Sequence, residues 1–201
     1  YTTFADAYNY KESEAKARAA ERAERDKKDI PENFAKEVKA YHDKAPVKIN
    51  SMKVLNFGEN NLPFSYTVDY QMDGLVKKAG RNIVVSVGQL FGQQTHIEGK
   101  ARKRDMDLIY DYPRSYSVTL NLNIPSGYSV AQESLQKLNN HIDNEAVRLT
   151  TKAEISDGKL VIIFQKVYKQ QRVPVAKWEQ VLSMLDRAYE FTSRQVILKK
   201  N

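Results

Sequence analysis

The chain has 201 residues, of which 41% are apolar and 28% charged, and carries a net charge of +7 with a pI near 9.3. It has no cysteine, which excludes disulfides, thiolate catalysis and cysteine-ligated metal together. No apolar run approaches the roughly 20 residues of a membrane-spanning helix.

The chain begins at Tyr1 without a signal-peptide pattern, so we expect a piece of a longer or processed protein. Residues 5–28 predict a helix. Ala15, Ala17, Ala19, Ala20 and Ala23 supply propensity, and Glu12–Lys16, Glu14–Arg18, Glu21–Arg25 and Glu24–Lys28 are acid-first pairs four residues apart. Large apolar residues are missing between Lys11 and Lys28, so this helix reads as a solvated connector rather than a core element. Pro31 interrupts it, and Phe34, Val38 and Tyr41 mark a shorter second helix. We therefore divide the chain into a helical connector, 1–45, leading from an upstream domain, and a β-domain, 46–201. The connector balances its acids and bases, so the positive excess belongs to 46–201.

Strand patterns begin at Val47. Alternation slips near Asn50–Ser51, which predicts an irregularity inside a strand over 47–57. Phe64, Tyr66, Val68, Tyr70 and Met72 alternate with polar residues, the period of a strand with one dry face. Asp73-Gly74 is a turn pair. Ile83, Val85 and Val87 mark another strand, and 88–99 reads as loop or edge. Met106 to Tyr112 alternates again, with Ile109 the exception. Ser115 to Ile124 alternates without error, placing Tyr116, Val118, Leu120, Leu122 and Ile124 on one face. Residues 130–144 are polar and irregular, with one helical turn near Leu135.

Asp157-Gly158 carries a type I′ turn signal between two alternating runs. A two-residue loop there sets Ile155 opposite Leu160, Ala153 opposite Ile162, Thr151 opposite Phe164 and Val147 opposite Tyr168. Pro174 opens a helix whose stripe is Val175, Trp178, Leu182, Leu185 and Tyr189, widened by Val181 and Ala188. Lys177, Glu179, Asp186 and Glu190 face away from it. Val196-Ile197-Leu198 closes the chain as a short strand.

The candidates for chemistry are few. His42, His96 and His141 lie in separate segments without helical pairing, so a three-histidine metal site requires the fold to gather them. Asp105, Asp107 and Asp111 share a strand face, an arrangement open to a hard cation, but Arg102, Arg104 and Arg114 stand near enough to offset them. No Gly-x-Ser-x-Gly elbow is present, and Gly88 and Gly92 are not followed by the Lys-Ser/Thr of a phosphate loop. The run Lys100-Ala101-Arg102-Lys103-Arg104 could meet phosphates. We read it as a solvated strand edge, because lysine and arginine there discourage edge pairing. Tyrosine is enriched, with 12 residues. Tyr66, Tyr70, Tyr110, Tyr112, Tyr116, Tyr128 and Tyr168 serve either as core-edge residues or as a sugar-stacking platform.

Arg104, Tyr112-Pro113, the strand after them, Ile124-Pro125-x-Gly127-Tyr128-x-Val130 and the Pro-led helix before Val196-Ile197-Leu198-Lys199-Lys200 form a further pattern. It resembles the C-terminal β-sandwich region of large bacterial transglutaminase-like proteins, some of them described as candidate cysteine proteases. The resemblance covers about residues 100–200 well and 1–100 loosely. It departs at Glu133-Ser134, where such proteins often carry Leu-Pro. It implies an N-terminal sandwich, a papain-like core and a C-terminal sandwich in the parent, exported from a Gram-negative cell to the periplasm or beyond. The Cys-His-Asp triad of that core has no counterpart in this chain.

The expectation is therefore a mainly β, antiparallel β-sandwich, jelly-roll-like, with the charged N-terminal helix and one C-terminal packing helix. Its expected role is a non-catalytic accessory domain that packs against, or presents substrate to, its own catalytic domain. The alternative is a carbohydrate or cell-wall binding module using exposed tyrosines. We expect no enzymatic activity, no catalytic residues, no cofactor, no metal, no nucleic acid partner and no membrane span. The substrate reached through the domain would be a polysaccharide or a protein.

Overall fold

The structure is a computed structural model that describes residue 21, residues 47–56 and residues 65–201. Contacts divide the chain into two units, Tyr1–Met72 and Asp73–Asn201. Of the segment expected as a connector only Glu21 is described, helical and exposed. The rest of the expected helix over 5–28, and the shorter one carrying Phe34, Val38 and Tyr41, lie outside the described residues.

In the first unit, strands β1 (Val47–Asn56) and β2 (Ser65–Met72) form an antiparallel pair. Its register shifts between Ile49 and Ser51, where the sequence loses alternation. Asn50, left unpaired in the ladder, donates from Nδ2 to Asp69 Oδ2 at 3.4 Å. A second shift lies between Val54 and Asn56.

The second unit is built on the hairpin of β9 (Val147–Ser156) and β10 (Lys159–Tyr168). Asp157 and Gly158 both have positive φ, 49° and 71°, as a type I′ turn requires. The register pairs Ile155 with Leu160, Ala153 with Ile162, Thr151 with Phe164 and Val147 with Tyr168, as the turn dictates. Strand β6 (Arg114–Asn123) pairs with β10, and β8 (Asn140–Asp143) with β9, giving the sheet order β6-β10-β9-β8. The second sheet runs β3-β4-β12-β7, from β3 (Val76–Ala79), β4 (Asn82–Val85), β12 (Val196–Lys200) and β7 (Tyr128–Val130). A short pair joins β5 (Leu108–Ile109) to β11 (Arg172–Val173). Helix α1 (Gln132–Gln136) supplies the turn expected near Leu135. The polar stretch after it is regular where irregularity was expected: it forms the edge strand β8.

Every described sheet is antiparallel, and the fold is a mainly β sandwich with one long C-terminal helix. That helix, α2 (Trp178–Phe191), follows Pro174 and a 3-10 turn, Val175–Lys177, and packs on β9. Its buried face is Trp178, Val181, Leu182, Met184, Leu185, Ala188 and Phe191. The expected stripe is thus corrected at its ends. Val175 is exposed because the α-helix begins only at Trp178, Tyr189 is exposed and stacks on His96, and Met184 and Phe191 complete the core face.

Phe91, Phe164 and Phe191 meet at centroid distances of 5.1–5.5 Å, joining the turn after β4, strand β10 and α2. Val87, expected as a strand residue, lies in that 3-10 turn, Val87–Phe91, and is fully buried. Gly88 passes so close to the end of α2 that an added Cβ would strike Phe191 O and the Thr192 carbonyl carbon.

Candidate functional site

The run Lys100–Arg104 is not a strand edge. Gly99–Arg102 is a 3-10 turn whose side chains reach back to α2. Arg102 forms a two-pronged ion pair with Asp186, both bonds at 2.9 Å, and donates to Ile97 O at 3.0 Å. Trp178 Nε1 donates to Arg102 O at 2.6 Å, and the Arg104 guanidinium lies 5.0 Å from the Trp178 ring. Asp186, expected to face away, is therefore a partner of the basic run. Hydrogen bonding from Arg102 holds its carboxyl below the usual range against the opposing effect of burial.

Asp105, Asp107 and Asp111 do not share a strand face, because β5 is only Leu108–Ile109; Asp105 and Asp111 are exposed, while Asp107 is tied into structure. Asp107 accepts from the Val175 backbone N–H at 2.9 Å and from Arg172 Nε at 2.8 Å. These two bonds, the backbone one first, lower its pKa, and together they fasten the start of the helical segment to the β5–β11 pair. Asp143 pairs with Lys169 and with Arg148. His96 stacks on Tyr189 with centroids 4.0 Å apart and contacts Glu98 Oε1 at 2.7 Å. His141 meets Thr150 on the neighbouring strand, and His42 lies outside the described residues. No three His, Asp or Glu side chains gather as a metal site among the described residues.

What the fold does assemble is a group of tyrosines and cations at one end of the β6–β10 pair. Register places Lys166 opposite Tyr116, and Tyr168 opposite Arg114. Directly opposed residues share a sheet face, so all four project together, and Tyr110 joins them from beyond β5. Tyr168 meets Tyr110 and Tyr116 edge-on, at centroid distances of 5.1 and 6.5 Å. The Arg114 guanidinium lies 4.9 Å from Tyr110, 5.1 Å from Tyr168 and 5.9 Å from Tyr116. Lys166 Nζ lies 5.3 Å from Tyr116 and 5.9 Å from Tyr168, and donates to Gln94 Oε1 at 2.8 Å. Gln94 is itself held by its Nε2 bond to Phe91 O at 3.0 Å.

Burial pushes the Lys166 ammonium down from its ordinary pKa, and the Arg114 charge adds to the effect. It pushes the Tyr168 hydroxyl up to about 12, so this phenol stays neutral at physiological pH. The sequence carries one signal of this cluster. Leu160, Ile162, Phe164, Lys166 and Tyr168 share one parity on β10 and all are buried, so Lys166 is a lysine at a core position. The other tyrosines are scattered: Tyr66 and Tyr112 are exposed, while Tyr70 and Tyr128 are half-buried.

The sequence profile of the A-macroglobulin receptor binding domain family matches residues 113–192. That segment runs from the start of β6 through α2. No curated protein sequence matches the chain. Among solved structures, the crystal structure of a candidate protease from Parabacteroides distasonis ATCC 8503 is similar, with 15% sequence identity and a TM-score of 0.42. The similarity covers 48% of this chain and 19% of that one, so this chain spans about a fifth of that protein's length.

Proposed function

We propose that this chain is a non-catalytic accessory domain of an exported, transglutaminase-like protein, acting by protein–protein contact with its own catalytic core or with that core's substrate. The observation that carries the reading is the match over residues 113–192 to a family named for binding a receptor rather than for a reaction. The motif resemblance at Arg104, Tyr112-Pro113 and Ile124–Val130 supplies the transglutaminase-like context and, with it, a periplasmic or extracellular location.

The chemistry of the described side chains agrees with a binding role. Asp107, Asp143 and Asp186 are spent on ion pairs that join elements. The nearly buried amine, Lys166, is bonded to a neutral amide rather than to a nucleophile or a base. A sugar platform has weaker support. Tyr110, Tyr116 and Tyr168 meet edge-on, and Arg114 lies over all three, whereas stacking needs an open ring face.

The test is to assay the purified chain for peptide hydrolysis and for amine incorporation into a glutamine-containing protein, alone and with the catalytic region of its gene product. The expected result is no turnover by the chain alone and a saturable complex with the catalytic region. Turnover by the chain alone, abolished by substituting one of its own side chains, overturns the reading, as does failure to associate with either the catalytic region or its substrate.

A further inference from the structure

Lys166 is the one charged side chain among the buried described residues, at 9% exposure. An ammonium has three donors and no acceptor, and Gln94 takes one of them. No carboxylate pairs with Lys166 or with Arg114 among the described residues. Their neighbours are the faces of Tyr110, Tyr116 and Tyr168. A tyrosine face attracts a cation but does not neutralise it. Two like charges held side by side, one of them almost out of water, raise each other's cost. An anion between them removes that cost.

The surroundings select the kind of anion. Arg114 is exposed and Tyr116 is 47% exposed, so the pair is reached from the β6 side. Strand β6 is the edge of its sheet, and no described backbone group bonds to its outer edge. A free edge is a template for an extended peptide, which adds main-chain hydrogen bonds. A planar guanidinium matches a carboxylate with two parallel bonds. A lone phosphate or a membrane headgroup gains nothing from a strand edge.

We propose that Arg114 and Lys166 form a carboxylate-recognition subsite for an extended peptide laid along the edge of β6, with Tyr116 as its exposed flank. The carboxylate is either a chain terminus or an acidic side chain; the two share the chemistry that the subsite reads. Binding is noncovalent, and the inference stands independently of the accessory role above.

The experiment is a titration of the full, isotopically labelled chain followed by amide NMR at low salt, with three probes. These are acetyl-Thr-Val-Thr-Val with a free carboxylate, its C-terminal amide, and the amide of the same sequence with one internal valine replaced by glutamate. Saturable shifts at residues 94, 114–118 and 166–168 are expected with either acid, and little response from the neutral amide. The stronger of the two acids identifies the source of the carboxylate. Lys166→Met and Arg114→Gln should each weaken binding about tenfold or more, as expected for losing a charged hydrogen bond. Arg114 is exposed, so Arg114→Gln tests the proposal even if the core variant is perturbed. Equal binding of the neutral amide, affinities within about twofold of wild type in both variants, or no saturable shift overturns the proposal. So does inorganic phosphate producing the same shifts at the same concentration, which would leave a general anion site.

Discussion

Arg102 and Asp186 stand 84 residues apart in sequence and meet through two parallel hydrogen bonds of 2.9 Å. The pair fastens the basic turn to the outer side of α2, and the Trp178 Nε1 bond to Arg102 O fastens the same turn to the start of the helix. A cluster that reads in the sequence as free positive charge is thus partly a clamp. The Asp186 pKa is lowered in the folded state. An acid of this kind contributes stability that is present above its unfolded pKa of about 3.9 and is lost as pH falls through the folded value. Asp186→Asn should therefore cost little at neutral pH, no more than about 1 kcal/mol for a pair this open to solvent. The deficit should begin to shrink as pH drops below about 4 and vanish only below the folded pKa. Urea unfolding from neutral to acid pH checks this; a deficit that persists undiminished at the acid end rules out the ion pair as its source.

Helix α2 has two kinds of apolar residue, and they should separate on mutation. Leu182 is 1% exposed, inside the contact with the β6-β10-β9-β8 sheet. Leu182→Ala should cost about 2–5 kcal/mol, the range for emptying a packed site. Tyr189 is 40% exposed and rests on His96. Tyr189→Ala should cost well under half as much by the same urea measurement. Equal losses would place Tyr189 in the core stripe after all.

The positive excess should not make the chain a nucleic-acid binder. Arg102 is committed to Asp186, so the basic run offers fewer free charges than its composition suggests. Weak, unselective retention of DNA that fades with added salt is the expected outcome. Submicromolar binding at physiological salt, lost on removing the Lys100 and Lys103 charges, would contradict it. Those two lysines are the variants to use, because truncating Arg102 also loosens the clamp.

Local chemistry and long-range pairing were not equally legible in the sequence. The β9–β10 register followed from Asp157-Gly158, since a two-residue turn admits one pairing. The irregularity at Asn50 followed from a broken alternation. Helix α2 is clear from its stripe, but the apolar pattern starts at Val175, which precedes the α-helix. Strand β8 escaped because its four residues, Asn140 to Asp143, include one large apolar side chain. It pairs only with β9 and needs no second dry face. The tyrosine–cation cluster was hidden for a different reason. It arises from β6 lying beside β10, with paired residues 36 to 54 positions apart in the chain, and no local signal sets that neighbour.

Gly88 tests a close approach that no turn signal predicts. Its backbone N–H bonds to Arg194 O at 3.0 Å, and an added Cβ would lie 2.6 Å from the Thr192 carbonyl carbon. The obstacle is main chain, which cannot swing aside as a side chain can. Gly88→Ala should destabilise by about 1–3 kcal/mol or more, as overpacking does. Gly80, at φ 62° in the β3–β4 turn with open space around it, is the control. Gly80→Ala meets only the backbone preference, about 1–2 kcal/mol. Thermal unfolding should also report a displaced end of α2 in the first variant alone, read from the near-UV signal of the aromatic cluster.

Lys166 makes the final prediction, because it sets stability against charge. Burial and the Arg114 charge lower its pKa in the folded state, so the unfolded chain holds that proton more tightly. The charge therefore costs stability at every pH below the folded pKa. The cost fades as pH rises through the folded value toward the unfolded one near 10.4. Lys166→Met keeps the length of the side chain and removes the charge, so it should be at least as stable as wild type at neutral pH. Its advantage should narrow on the alkaline side. The neighbouring tyrosines do not confuse the comparison. The Tyr168 hydroxyl is raised to about 12 and that of Tyr110 is raised by burial, and both are present in both proteins. Paired urea titrations from neutral pH to about 10 give the difference directly. A variant less stable than wild type throughout would mean that the tyrosine faces and Gln94 stabilise the ammonium outright, and that the pair has no outstanding need for an anion.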